Sequence, residues 1–168
     1  MIDLNNVPVH SLDLKDLLHA KEIRQYIRNQ DIREHCYAFV YKNKVMKYGI
    51  QYEWKPTTYG ERSYRQAWYI PGWPTKPKSS SGDDMLGIIK NFPNINKNDV
   101  TLIIFDMTHY PRASSVEPDY EVKQLERQLI KNHIDSNNEP PVGNIKTEDH
   151  MDQKSIVKDA IFDSLFHD

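Results

Sequence analysis

Cysteine is almost absent from the chain: Cys36 is the only one in 168 residues. A lone thiol excludes an internal disulfide and any multi-cysteine zinc centre. Glycine is scarce too, with 6 residues against 10 prolines, which fits one compact domain carrying an appended terminal segment. No uncharged apolar run approaches the ~20 residues needed to span a bilayer, and MIDLNNVPVHSLDLKD lacks the basic-then-apolar pattern of a signal peptide. The expectation is an intracellular protein without a membrane partner. Nor is there an excess of either charge. The formal net charge of −2 argues against a generally basic nucleic-acid coat, so any basic surface has to be local. The seven histidines show no H-x-x-x-H pairing, and no histidine metal site is expected.

What is present reads as α+β. From Asp13 to about Asn29, Leu14, Leu17, Leu18, Ile23, Tyr26 and Ile27 recur at three- and four-residue spacing, as in one helix or two short ones. CYAFVY (36–41), the turn Lys42-Asn43-Lys44 and VMKYGIQY from Val45 predict an antiparallel hairpin. GERSYRQAWY (60–69) has helical character, PGWPTKPKSSSGDD is too rich in breakers for regular structure, and a short helix is expected from Asp83 or Asp84 through MLGIIKNF. VTLIIFDM from Val100 reads as a buried third strand beside the hairpin. A strong helix is expected from Pro118 to about His133, then a loop DSNNEPPVGN, and a tail whose Ile156, Val157, Ala160, Ile161 and Leu165 fall at helical spacing.

Three features could carry chemistry. Glu126 falls inside the stripe Val122, Leu125, Leu129, where a charge is costly unless a cation or metal ion meets it; the plain alternative is a glutamate at the stripe's edge reaching solvent or a basic neighbour. In segment 52–78, Tyr52, Trp54, Tyr59, Tyr64, Trp68, Tyr69 and Trp73 alternate with Lys55, Arg62, Arg65, Lys76 and Lys78. Rings that stack on bases and cations that meet phosphates make a nucleic-acid surface; alternatively the rings pack a loop onto the core. Lys47 shares a face with Val45 and Gly49 if the strand is regular, and interrupts a mainly apolar run. A lysine facing a cleft can act as a base, whereas one on an edge strand more often faces solvent.

In this order the pieces resemble the GIY-YIG nucleases of phage and restriction type: Tyr37 in CYAFVYKNKVMKYGI matches the first motif, Lys47-Tyr48-Gly49 the second, GERSYRQAWY the arginine helix, LERQLIKNHI the glutamate helix with Glu126 in the catalytic place, and PPVGN the closing Asn144. The chain departs from the pattern where Cys36 or its neighbours replace the first glycine and Lys47 replaces the second tyrosine. The resemblance covers about residues 35–145 and implies a three-stranded antiparallel sheet flanked by helices, with a helical extension over 1–34 and a tail over 146–168. It also implies a Mg2+- or Mn2+-dependent endonuclease acting on DNA, double-stranded for preference, in the cytoplasm, the host's if the source is viral. Catalytic residues would be Tyr37, Lys47, Arg62 or Arg65, Tyr69, Glu126 and Asn144. Arg65 with Tyr69 one turn later fits the family better than Arg62 with Gln66. Glu126 would hold the metal, and Lys55, Trp68, Trp73, Lys76 and Lys78 would bind DNA. Cleaving both strands asks for two active sites, hence a homo-oligomer. Two rivals stand beside this reading: a nucleic-acid-binding protein on the same fold that has lost catalysis, and a regulatory domain whose tail helix docks a protein.

Overall fold

A computed structural model describes residues 1–52, 58–77, 83–113 and 119–144. The expected tail helix, the start of the glutamate helix at Pro118, and Trp54, Lys55 and Lys78 lie outside the described residues.

The class is α+β, with all strand pairings antiparallel. The hairpin consists of β2 (Glu34–Tyr41) and β3 (Lys44–Tyr52), and Val100–Asp106 pairs with β2 on its other side. Between Tyr41 and Lys44 only Lys42 and Asn43 remain, with φ of 50° and 62°. Two left-handed residues are what a two-residue hairpin turn of matching twist requires.

The sheet has a fourth strand, β1 (Val9–Asp13), inside the segment expected to be a helical extension. It pairs with the 100–106 strand, here β4, and the order is β1-β4-β2-β3. Helix α1 (Lys21–Asn29) starts later than its periodicity suggested, because residues 14–16 form a 3-10 turn that buries Leu14. Residues 1–34 are therefore built into the sheet and the core.

Helices cover both faces of the sheet. On one lie α1, α2 (Glu61–Trp68) and α3 (Asp83–Asn91), whose Ile23, Ile27, Ala67, Met85 and Ile88 pack with Tyr37, Phe39 and Tyr41 of β2. On the other lies α4 (Tyr120–Asn137), whose Val122, Leu125, Leu129 and Ile130 pack with Cys36, Ala38 and Tyr48. The alternation along β2 thus feeds two cores, which is why CYAFVY is apolar at every position. Helix α4 continues one turn beyond the expected end at His133, closing on Asn138 in the left-handed conformation with its N–H on the Ile134 carbonyl at 2.7 Å.

One irregularity sets the site. Phe39 pairs with Lys47 and Val40 with Val45, so Met46 is an extra residue in β3. Such a bulge shifts the pleat. Val45 therefore joins the α4 core, while Met46 packs in the opposite core. The regular-strand expectation that put Val45 on the same face as Lys47 and Gly49 is corrected by this bulge.

Candidate functional site

Tyr37 lies across Gly49, its cross-strand partner. A Cβ on residue 49 would come within 2.3 Å of Tyr37 Cζ and 2.4 Å of its hydroxyl oxygen. The tyrosine-and-glycine pairing is a packing unit: only a residue without a side chain leaves room for the ring.

Two residues upstream, Lys47 donates from Nζ to Gln66 Oε1 on α2 at 2.9 Å. Its side chain is almost wholly buried and turned towards the arginine helix. A strap after α4 covers its base. A Cβ on Gly143 would lie 2.8 Å from Lys47 Cβ and 3.0 Å from the Met46 carbonyl oxygen, so glycine lets the strap approach this closely. The next residue, Asn144, accepts from Tyr48 N at 2.9 Å and donates to Tyr48 O at 2.8 Å. Its amide occupies the free edge of β3 as a neighbouring strand would. Tyr37, Lys47, Gly49 and Asn144 are thus brought together.

The arginines separate. Arg65, preferred from the family pattern, turns towards α1 and pairs with Glu61 at 3.4 Å. Arg62 stands one turn before Gln66, on the side of α2 that faces β3, and its backbone N–H donates to Gln51 Oε1 at 2.6 Å. Its guanidinium is exposed, and among the described residues no ion pair holds it. Of the two arginines, Arg62 is the one whose backbone meets β3. Tyr69 caps the C-terminus of α2 and lies half-buried against the core.

Beneath the start of α2 sits a polar cluster that sequence reasoning did not single out. His35, fully buried, shares a 2.6 Å hydrogen bond between Nε2 and Ser63 Oγ. Burial first, and the charge of His10 second, push its pKa down to about 3, so it is a neutral ring that holds α2 on the sheet. Its cross-strand partner Gln51 is the residue that fixes Arg62 N. Neither was visible in advance, because both depend on which turn of α2 meets which pair of β2 and β3.

Glu126 projects from α4, half-buried, on the face opposite Tyr37 and Lys47. Its carboxylate acts on Cys36: burial above all, and Glu126 next, raise the thiol's pKa well above the ordinary range. Cys36 therefore stays a neutral thiol. Tyr48 on the same face is pushed up to about 12 by burial and by Cys36, which excludes it as a base near neutral pH. Helices α2 and α4 both pack on β3, from its two sides. The structure therefore does not bring Glu126 together with Tyr37 and Lys47: the sheet lies between them, and Asn144 holds the β3 edge.

No group of three or more His, Cys, Asp or Glu placed to hold a metal ion occurs among the described residues. The fit of a metal rests on Glu126 alone: a hard oxygen donor, partly open to solvent, beside a thiol that keeps its proton. That suits Mg2+ or Mn2+, which keep most of their water and take one or two carboxylates.

The expected DNA-contacting rings divide. Trp73 is core, its indole N–H donating to the Ala67 carbonyl at 2.9 Å and its ring carrying the Lys97 ammonium at 4.8 Å. This corrects its assignment to the DNA surface: burial against α2 removes it from any base. Trp68 is half-buried, stacked on Tyr64 at 5.7 Å and 15°, with its N–H on the Thr75 carbonyl. Lys76 is exposed. Among known proteins, no family model, curated sequence or solved structure matches this chain.

Proposed function

We propose that the chain is a metal-dependent endonuclease of the GIY-YIG kind that hydrolyses phosphodiester bonds in DNA. The supporting observation is the unit in which Tyr37 lies on Gly49, Lys47 is held beside it by Gln66, and Asn144 closes the same strand edge. These are positions the resemblance singles out, and packing alone does not require a lysine among them.

Hydrolysis needs an oriented water, neutralisation of charge on the pentavalent phosphorus and stabilisation of the leaving oxygen. In this reading Lys47 and Tyr37 orient and deprotonate the water. Arg62, exposed on α2 one turn before Gln66, takes the non-bridging oxygens through its forked donors. Glu126 would hold the metal ion, which when bound supplies charge neutralisation at the phosphate and the leaving oxygen. Asn144 is a positioning residue, since its amide is engaged by the backbone of Tyr48.

Tyr37 is 3% exposed and Lys47 5%. That burial favours a second reading, a nucleic-acid-binding protein on this fold that has lost cleavage, because a phosphate has to reach both groups. A plasmid-nicking assay with and without magnesium separates the two. Cleavage that requires magnesium and vanishes in Glu126→Gln, with the melting curve and DNA affinity retained, is the expected result. A Glu126→Gln protein that cuts at the wild-type rate would sink the assignment, and DNA binding without any nicking would leave the second reading.

A further inference from the structure

Three guanidinium groups converge on one carboxylate across α1 and α2. Arg24 Nη1 lies 2.7 Å and Arg28 Nη2 3.4 Å from Glu61 Oε1, and Arg65 Nε lies 3.4 Å from Glu61 Oε2. Lys21 continues the row, since residues 21, 24 and 28 fall on one helix face. The carboxylate nearest them on α1, Glu22, is turned back on the helix's own start, accepting the Leu18 and His19 N–H groups at 2.7 Å each. Three guanidinium groups therefore share Glu61, with Lys21 on the same face of α1, on a surface where Arg65 is 71% exposed and Arg24 and Arg28 about a third. The row continues into an aromatic shelf: Arg24 sits 4.8 Å above the Tyr64 ring, which stacks on Trp68.

Arg28 has a structural task as well, donating from Nε to the Tyr59 carbonyl at 3.1 Å, but charge balance does not call for three guanidinium groups on one carboxylate. One arginine would neutralise Glu61, and adding two more to the same carboxylate sets like charges against each other. An anionic partner relieves that repulsion. We infer that the α1–α2 surface, Lys21, Arg24, Arg28 and Arg65 around Glu61 with the Tyr64–Trp68 shelf beside it, docks the phosphate backbone of duplex DNA. From Lys21 to Arg28 a helix rises about 10 Å, the axial length of about three phosphates of one strand. Guanidinium forks match phosphate oxygens in pairs. The surface joins the proposed site through α2, whose other side carries Arg62. The inference rests on the nuclease reading for the class of partner, and assigns the positioning of substrate to the N-terminal helix, outside the segment that resembles the nuclease family.

The test uses the full chain and a fluorescent duplex of about 25 base pairs, with anisotropy followed in EDTA across a series of salt concentrations. Lys21→Gln, Arg24→Gln and Arg28→Gln combined should weaken binding about tenfold or more and flatten the log K against log[salt] slope by two to three units, roughly one per phosphate contact. With magnesium, the same variant should raise KM and leave kcat at saturating DNA unchanged. Glu61→Gln, which keeps an acceptor for the arginines and removes the opposing charge, should tighten binding and steepen the slope, so the surface is tested even if the triple variant folds poorly. Wild-type binding and cleavage with neither variant moving the affinity or the slope would overturn this surface and leave the nuclease reading intact. Absence of DNA binding by the wild type would overturn both.

Discussion

At the scale of single residues, the closest contact in the candidate site is also the most informative. Gly49→Ala would drive a methyl into the Tyr37 ring, whose Cζ would be 2.3 Å away, and that ring is boxed in by Phe39 and His35. Overpacking of this kind costs about 1–3 kcal/mol, read as a lower urea midpoint with an unchanged slope. In a Tyr37→Leu background the same substitution should cost much less, because the offending atoms are gone. Equal penalties in both backgrounds would mean that the ring does not lie where the structure puts it.

Glu34 supplies a second residue-scale prediction. It is buried beside Arg112, and burial outweighs the favourable pull of that guanidinium, with Glu121 and Asp119 adding to the upward push, so its carboxyl is raised from 4.5 to about 7. The folded state therefore holds this proton more tightly than the unfolded chain. Its stabilising contribution is complete below about pH 4.5 and is lost as the pH rises through about 7, roughly 3 kcal/mol over the window. Between pH 5 and pH 8 this loss is opposed by His35, whose neutral folded ring costs stability as the pH falls below about 6.5. In denaturant titrations Glu34→Gln should therefore turn a nearly flat wild-type profile into one more stable at pH 8, Glu34 being the source of the opposing trend. A variant with the same pH dependence as wild type would exclude Glu34 as that source.

At the scale of elements, the strap carrying Asn144 tests how β3 is held. Asn144→Ala removes two hydrogen bonds from the Tyr48 backbone, and at about 0.5–1.5 kcal/mol each the loss should be about 1–3 kcal/mol. The Tyr48 amide proton should exchange markedly faster while the amides of β4, in the middle of the sheet, keep their protection. Unchanged exchange at Tyr48 would mean that the strap does not seal the edge. The elements also show what the residues revealed in advance. The hairpin, β4, α2, α3 and α4 were legible because their apolar residues fall at period two or at helical spacing. VHSLD was not: a five-residue edge strand with Val9, Ser11 and Asp13 exposed carries too little apolar alternation to compete with the helical pattern that follows. The oddity of Lys47 and Glu126 was visible, since a charge in an apolar stripe needs a reason. Their disposition was not, because the bulge at Met46 and the sheet between α2 and α4 decide which faces they occupy.

For the whole molecule, the question is whether residues 1–34 are dispensable, as they would be if the nuclease-like segment 35–145 were complete in itself. The packing says otherwise. Leu14, Ile23, Ile27 and Ile32 are each at 0% exposure and belong to the same core as Tyr37, Phe39 and Met46. Removing four such side chains forfeits about 1.5–3 kcal/mol apiece, a loss of about 6–12 kcal/mol that rivals the entire net stability of an ordinary domain. It would also strip β1 from β4 and expose a hydrophobic strand edge, which invites pairing between molecules. A chain beginning at His35 should therefore lack a cooperative thermal transition and should aggregate, as followed by near-ultraviolet circular dichroism and light scattering. Were that fragment soluble, monomeric and cooperatively folded, β1 and α1 would be accessories to a self-sufficient domain. As packed, they form one wall of the core beneath Tyr37, so a nuclease built on this sheet would need its N-terminal residues in order to fold at all.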